Sequence, residues 1–136
     1  MANAAAVQMD MLDALKSRNF ERLGSLYHPD YVYMGGDGVE QKGAEAGVAV
    51  AQTYTRAFPD MTFEIRHQFA PGNDVAILEL TVRGTHLAEL DGIPATGRTV
   101  EVVVCNVVEA QDGLIVRERE YFDALSIMRQ LGVIQD

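Results

Sequence analysis

The sequence has no tryptophan, a single cysteine and only two lysines, and each scarcity closes a route. Cys105 alone excludes an internal disulfide and any multi-cysteine metal site, and its apolar run suits a buried core thiol. Schiff-base chemistry needs a buried lysine, but Lys16 falls on an early helical stripe and Lys42 in a glycine-flanked loop. Positive charge is short overall. Eleven Lys and Arg against 20 Asp and Glu give a formal net charge of −9, with no basic cluster, so neither nucleic acid nor a membrane surface is an expected partner. No apolar run is long enough to span a bilayer. The first dozen residues lack the basic start and the apolar stretch of about 7–15 residues that mark a secretory signal, so the expected location is cytoplasmic.

Motifs are equally sparse. His28, His67 and His86 have no metal-ligand spacing, no serine sits in a nucleophile elbow, and no glycine loop matches a phosphate or dinucleotide fingerprint. The expectation is therefore no metal and no cofactor, which leaves carboxylate acid–base chemistry. His28 reads as a solvated turn residue before Pro29, and His67 as a satisfied core histidine on the apolar face of its strand.

What is present is the pattern of one α+β domain over residues 1–136. With 48% hydrophobic residues, a chain of this length buries roughly two-thirds of its unfolded surface around a single core. Val7, Met11, Ala14 and Leu15 share a helical stripe; Phe20, Leu23, Leu26 and Tyr27 share another that ends at Pro29. A short strand is expected over 31–34 and a third helix over about 44–58. After Pro59 the period falls from about 3.6 to 2, with strands over 61–69, 75–86, 99–110 and 114–122. Asp112-Gly113 is a hairpin turn, and a last helix over 124–131 stops at Gly132. Helices, a run of antiparallel strands and a closing helix predict an α+β layer fold in which a curved, mostly antiparallel sheet wraps the N-terminal helices.

A two-residue turn at Asp112-Gly113 also predicts a register. Val108 would face Arg117, Asn106 would face Arg119, and Val104 would face Tyr121, with Asp123 beyond, all on one sheet face. The other face would carry Val103, Cys105, Val107, Glu118, Glu120 and Phe122. A strand apolar on both sides is normally covered on both, and the helices cover only one, which predicts a homodimer through the outer sheet face. Assigning the first face to the interior makes Asn106, Arg119 and Tyr121 the ligand-binding groups of an apolar cup, joined by Tyr33 from the short strand. The reverse assignment makes Arg117, Arg119 and Tyr121 solvated. Asp123 at the rim is the first candidate acid/base, although an aspartate before Ala124-Leu125-Ser126 is equally an N-cap. His86 is the second candidate, either an oxyanion donor or a half-exposed strand end.

Gly84-Thr85-His86, Gly92-Ile93-Pro94-Ala95-Thr96-Gly97-Arg98, Asp112-Gly113-Leu114-Ile115, and Tyr121-Phe122-Asp123 followed by Arg129-Gln130-Leu131-Gly132 together resemble the SnoaL-like polyketide cyclase family. That family lies within the broad nuclear-transport-factor-like and ketosteroid-isomerase-like superfamily. The resemblance spans about 27–132, with Ala57-Phe58-Pro59-Asp60 in support. It implies a conical sheet and a metal-free intramolecular aldol cyclisation of an apolar aromatic or polyketide-like ligand. Asp123 would shuttle the proton, with His86, Asn106 and Tyr33 as orienting partners. Ala88, Arg119 and Tyr33-Met34 stand where the family often has Gly, Trp and a polar pair, which implies a remodelled pocket. The alternatives are a hydrolase or cofactor-free hydroxylase using Arg119 beside Asp123, a ligand-binding protein without catalysis, and a dimer module with a filled cup.

Overall fold

Short polar side chains set the helix starts of the front half. The Asn3 side chain accepts the Ala6 N–H at 2.9 Å to open α1 (Ala4–Ser17), and the Asn19 side chain accepts the Arg22 N–H at 3.0 Å to open α2 (Phe20–Ser25). The chain continues through β1 (Tyr27–Met34), β2 (Glu40–Lys42), α3 (Ala44–Ala57), β3 (Thr62–Phe69), β4 (Val75–Thr85), β5 (Thr99–Gln111), β6 (Leu114–Tyr121) and α4 (Ala124–Leu131). These elements come from a computed structural model that describes residues 3–134. None of its helices is long and apolar enough to cross a membrane.

The six strands form one open, curved sheet in the order β2-β1-β6-β5-β4-β3. Neighbours are antiparallel except β1 and β6, which run parallel. The helical stripes lie against the concave face as expected: Val7, Met11 and Ala14 of α1 are buried with Ala76, Val108 and Ile115 of the sheet. Two differences from the sequence expectation are local. Strand β1 starts at Tyr27 and takes in Pro29, which is tolerated because the β1–β6 pairing shifts register between Tyr27 and Val32. Strand β2 is three exposed residues without a hydrophobic pattern, so nothing in Glu40-Gln41-Lys42 announces it.

A third difference decides which side chains enter the cup. The Asp112-Gly113 turn is as expected, with φ of 54° and 75° and with Gln111 paired to Leu114. One step later Ala110 pairs with Ile115 but Glu109 pairs with Arg117, so Val116 is an extra residue, a β-bulge. Beyond it the expected register is inverted: Val108 faces Glu118, Asn106 faces Glu120, Val107 faces Arg119 and Cys105 faces Tyr121. Strand β3 does the same at Arg66, where Ile65 pairs with Leu80 but His67 pairs with Glu79. His67 is therefore not a core histidine. Its side chain is exposed on the outer face, 3.1 Å from Glu79.

Candidate functional site

The corrected register lines up two polar rows on the concave face, because directly paired residues of neighbouring strands point to the same side. One runs Ala76, Val108, Glu118, Tyr33 across β4, β5, β6 and β1; the next runs Leu78, Asn106, Glu120. Glu118 and Glu120 are thus two carboxyls at alternate positions of β6, opening into a cavity of about 140 Å³ between the sheet, α1 and α3. Apolar side chains such as Leu12, Val50, Leu80 and Val104 form most of its wall, and Tyr33, Asn106, Glu118 and Glu120 supply its polar corner.

Each carboxyl has fixed donors. The Tyr31 hydroxyl donates to Glu118 Oε1 at 2.5 Å, and the Asn106 amide donates to Glu118 Oε2 at 2.8 Å. The Tyr33 hydroxyl donates to Glu120 Oε1 at 2.8 Å. Tyr31 is held by stacking on Tyr27, with ring centroids 3.9 Å apart, and both rings lie against Gly47 of α3. A Cβ on Gly47 would sit 2.6 Å from the Tyr31 ring, so only glycine permits this approach.

Burial sets the proton affinities. Loss of hydration pushes the Glu118 carboxyl up to about 7, and the neighbouring Glu120 charge adds to this, against the lowering effect of Tyr31 and Asn106. Glu120 is likewise raised, chiefly by loss of hydration. Tyr27, Tyr31 and Tyr33 are pushed further up by burial and by the carboxylates, so all three remain proton donors. The charge of Glu120 raises Glu118, so the two carboxyls interact and titrate as a pair.

The residues singled out from the sequence divide. Tyr33 and Asn106 line the cavity with the carboxyl pair. Arg119 and Tyr121 do not, because the Val116 bulge turns them to the outer face, where Arg119 pairs with Glu109 at 2.5 Å and Tyr121 is half exposed. Asp123 is exposed and is not part of the cavity wall; its carboxylate accepts the Ser126 N–H at 3.0 Å as the N-cap of α4. His86 is fully buried, with its Nδ1 accepting the Thr96 N–H at 3.2 Å and its ring 5.5 Å from that of Phe58, outside the cavity wall. The undisturbed register places Glu118 and Glu120 on the outer face and so outside the site; two acidic residues alternating on a strand whose partner is apolar are the available signal. Among the described residues, no group of three or more His, Cys, Asp or Glu is placed to hold a metal ion.

A family model described as SnoaL-like polyketide cyclase matches residues 5–131. The chain is 26% identical over 124 residues to the aklanonic acid methyl ester cyclase DnrD of Streptomyces peucetius, covering 90% of this chain and 86% of that protein. Among solved structures it is similar to IdmH of Streptomyces antibioticus, a candidate polyketide cyclase, with 29% identity, a TM-score of 0.78 and coverage of 93% and 96%. AclR of Streptomyces galilaeus, a candidate hydroxylase, superposes with a TM-score of 0.82 at 24% identity, covering 96% of this chain and 85% of that one, which is a likeness of fold.

Proposed function

The chain belongs to the SnoaL-like polyketide cyclase family, whose cyclase- or isomerase-type chemistry its relatives and fold support, and from that premise we propose that Glu118 and Glu120 are its proton-transfer groups. The observation that carries the proposal is the pair itself: two hydrogen-bonded carboxyls, raised in proton affinity, at the polar corner of an otherwise apolar cavity. Aldol cyclisation needs a base for the carbon between two carbonyls and an acid for the alkoxide formed at the attacked carbonyl. A pair that shares one proton supplies both. The ionised member takes the C–H proton, the freed electron pair forms the new C–C bond, and the protonated member gives its proton to the alkoxide. The pair ends with the proton count it began with.

Asp123 is the competing assignment, and its exposure and its capping bond argue against it. The ligand we propose is neutral and apolar, with its carbonyl groups toward Glu118 and Glu120. The cavity of about 140 Å³ approaches the roughly 150 Å³ that encloses benzene and is smaller than the roughly 300–1,000 Å³ of drug-sized sites, so the enclosed part of the ligand is about one ring. We also propose that a second copy pairs on the outer sheet face, where Val103 and Tyr121 are each about half exposed. Sedimentation of the wild type against Val103→Glu tests this, and a monomeric wild type would refute it.

The functional test is deuterium wash-in at the acidic carbon of a single-ring 1,3-diketone, followed by NMR above the buffer rate. Glu118→Gln and Glu120→Gln should each lower the catalysed rate by about 10²–10⁴-fold, whereas Asp123→Asn, which keeps a capping oxygen, should change it little. The opposite ranking would return the role to Asp123. Binding without exchange in any form would make the cone a carrier.

A further inference from the structure

Gln8 lies on the buried face of α1 with no exposed surface, and it reaches the strand behind the carboxyl pair. Its Nε2 is 3.1 Å from the Asn106 carbonyl oxygen, 3.4 Å from the Ala76 carbonyl oxygen and 3.0 Å from Asn106 Oδ1, while its Oε1 is buried without a hydrogen-bond partner among the described residues. Backbone carbonyls only accept hydrogen bonds. The atom that faces two of them must therefore be the amino group, because the reversed amide would set oxygen against oxygen. The orphaned Oε1 is the cost of that orientation.

The main chain thus dictates which way Gln8 points, and Gln8 in turn dictates Asn106. An amino group from Gln8 requires the oxygen end of the Asn106 amide, which leaves the Asn106 amino end facing Glu118 Oε2 at 2.8 Å. We infer that Gln8 is a positioning residue that locks the Asn106 amide with its amino group toward Glu118, so that Glu118 keeps one donated hydrogen bond in both protonation states. A free asparagine would reverse when the carboxyl takes a proton and would accept from it. The locked one does not. Oε2 then keeps a fixed donor whereas the Tyr31 hydroxyl can rotate, so a proton on Glu118 is favoured on Oε1, with Tyr31 turning its own proton toward Tyr27. The lock stabilises the ionised carboxylate and opposes the effect of burial.

The importance of the lock for catalysis rests on the proton-transfer reading above, but the lock itself is readable without substrate. Glu118 is titrated by carboxyl ¹³C NMR, with its resonance assigned by its loss in Glu118→Gln. Gln8→Met preserves length and bulk and removes the amino group, so Asn106 is released to accept from the protonated carboxyl, and the Glu118 midpoint should rise by about one pH unit, as expected when the neutral form gains a hydrogen bond that the lock denied it. Asn106→Leu should raise the midpoint similarly, and adding Gln8→Met in that background should change nothing further, because Gln8 acts through Asn106. An unmoved midpoint in a folded Gln8→Met protein, or an additive shift in the double variant, would overturn the inference. If Gln8→Met does not fold, the wild-type side-chain amide resonances decide. Asn106 amino protons that shift as one set through the Glu118 midpoint support the lock, and protons indifferent to it refute it. A confirmed lock together with unimpaired exchange by Glu118→Gln would sink the catalytic reading alone.

Discussion

The sheet holds acidic side chains in two places and on opposite terms. At the end of β4, the N–H and hydroxyl of Thr85 donate to the two oxygens of Asp60 at 2.7 and 2.6 Å, and these bonds hold the exposed Asp60 carboxyl below its ordinary proton affinity. Around it Gly84 lets the Phe58 side chain approach, where a Cβ would meet Phe58 Cβ at 2.8 Å, and His86 bonds to Thr96. At the middle of β6, Glu118 is buried and raised. The first region favours the ionised acid and strengthens the fold; the second keeps an acid where the fold would do better without its charge. The motif Gly84-Thr85-His86, which made the family visible in the sequence, belongs to the first. The chemistry we propose belongs to the second. The raised proton affinity of a buried acid, rather than the family motif, is what marks the second region as the candidate for chemistry.

Several substitutions break or sharpen that contrast. The largest effect is expected from exchanging the pair against the corner: Glu120→Gln should remove most catalysed exchange with little change in Tm, whereas Thr85→Val should lower Tm and leave most of the exchange, as followed by NMR and by thermal melts. Gly47→Ala should next link the two kinds of damage. Overpacking against Tyr31 should cost about 1–3 kcal/mol in urea unfolding and, by displacing Tyr31 from Glu118, should raise the midpoint of the exchange–pH profile.

Stability against pH gives a contrast of sign. The Glu118 carboxyl, raised from 4.5 to about 7, keeps its proton in the folded chain at pH values where the unfolded chain has lost it. Its contribution is therefore fully favourable below about 4.5 and declines as pH rises to about 7, by at most about 3 kcal/mol. Glu118→Gln should flatten that decline in melts taken between these limits. The depressed Asp60 works the other way, contributing stability that is lost as pH falls through its lowered value, so Asp60→Asn should weaken the fold at neutral pH and reduce its acid sensitivity. The smallest effect is expected at Asp123, where replacement by Ala should cost about 1 kcal/mol of helix capping and replacement by Asn a few tenths at most.

Much of the cone was legible along the chain. The stripes of α1 and α3, the change of period after Pro59, the Asp112-Gly113 turn and the α4 stop at Gly132 are all local signals, and each appears where the residues put it. Tyr33 and Asn106 were expected in the cavity and line it, Asn106 because its face of β5 was taken as the interior and the extra residue lies on β6, which leaves the parity of β5 untouched. Arg119, Tyr121 and the glutamates were not, since their orientation depends on counting residues back from the turn, and one extra residue at Val116 reverses the count. His67 was misplaced by the same mechanism at Arg66. Nothing near Gln8 hinted at its role, because its acceptors lie 68 and 98 residues away.

By itself, then, the sequence determined the order of helices and strands apart from β2, the α+β class and the family, because periodicity, turn chemistry and short motifs act over a few residues at a time. Only the tertiary structure decided which acids enter the cavity and which way each amide points. A bulge leaves no hydrophobic signature of its own, yet it turns over the strand beyond it, and a buried hydrogen-bond network acquires its direction only when distant backbone carbonyls are brought against it.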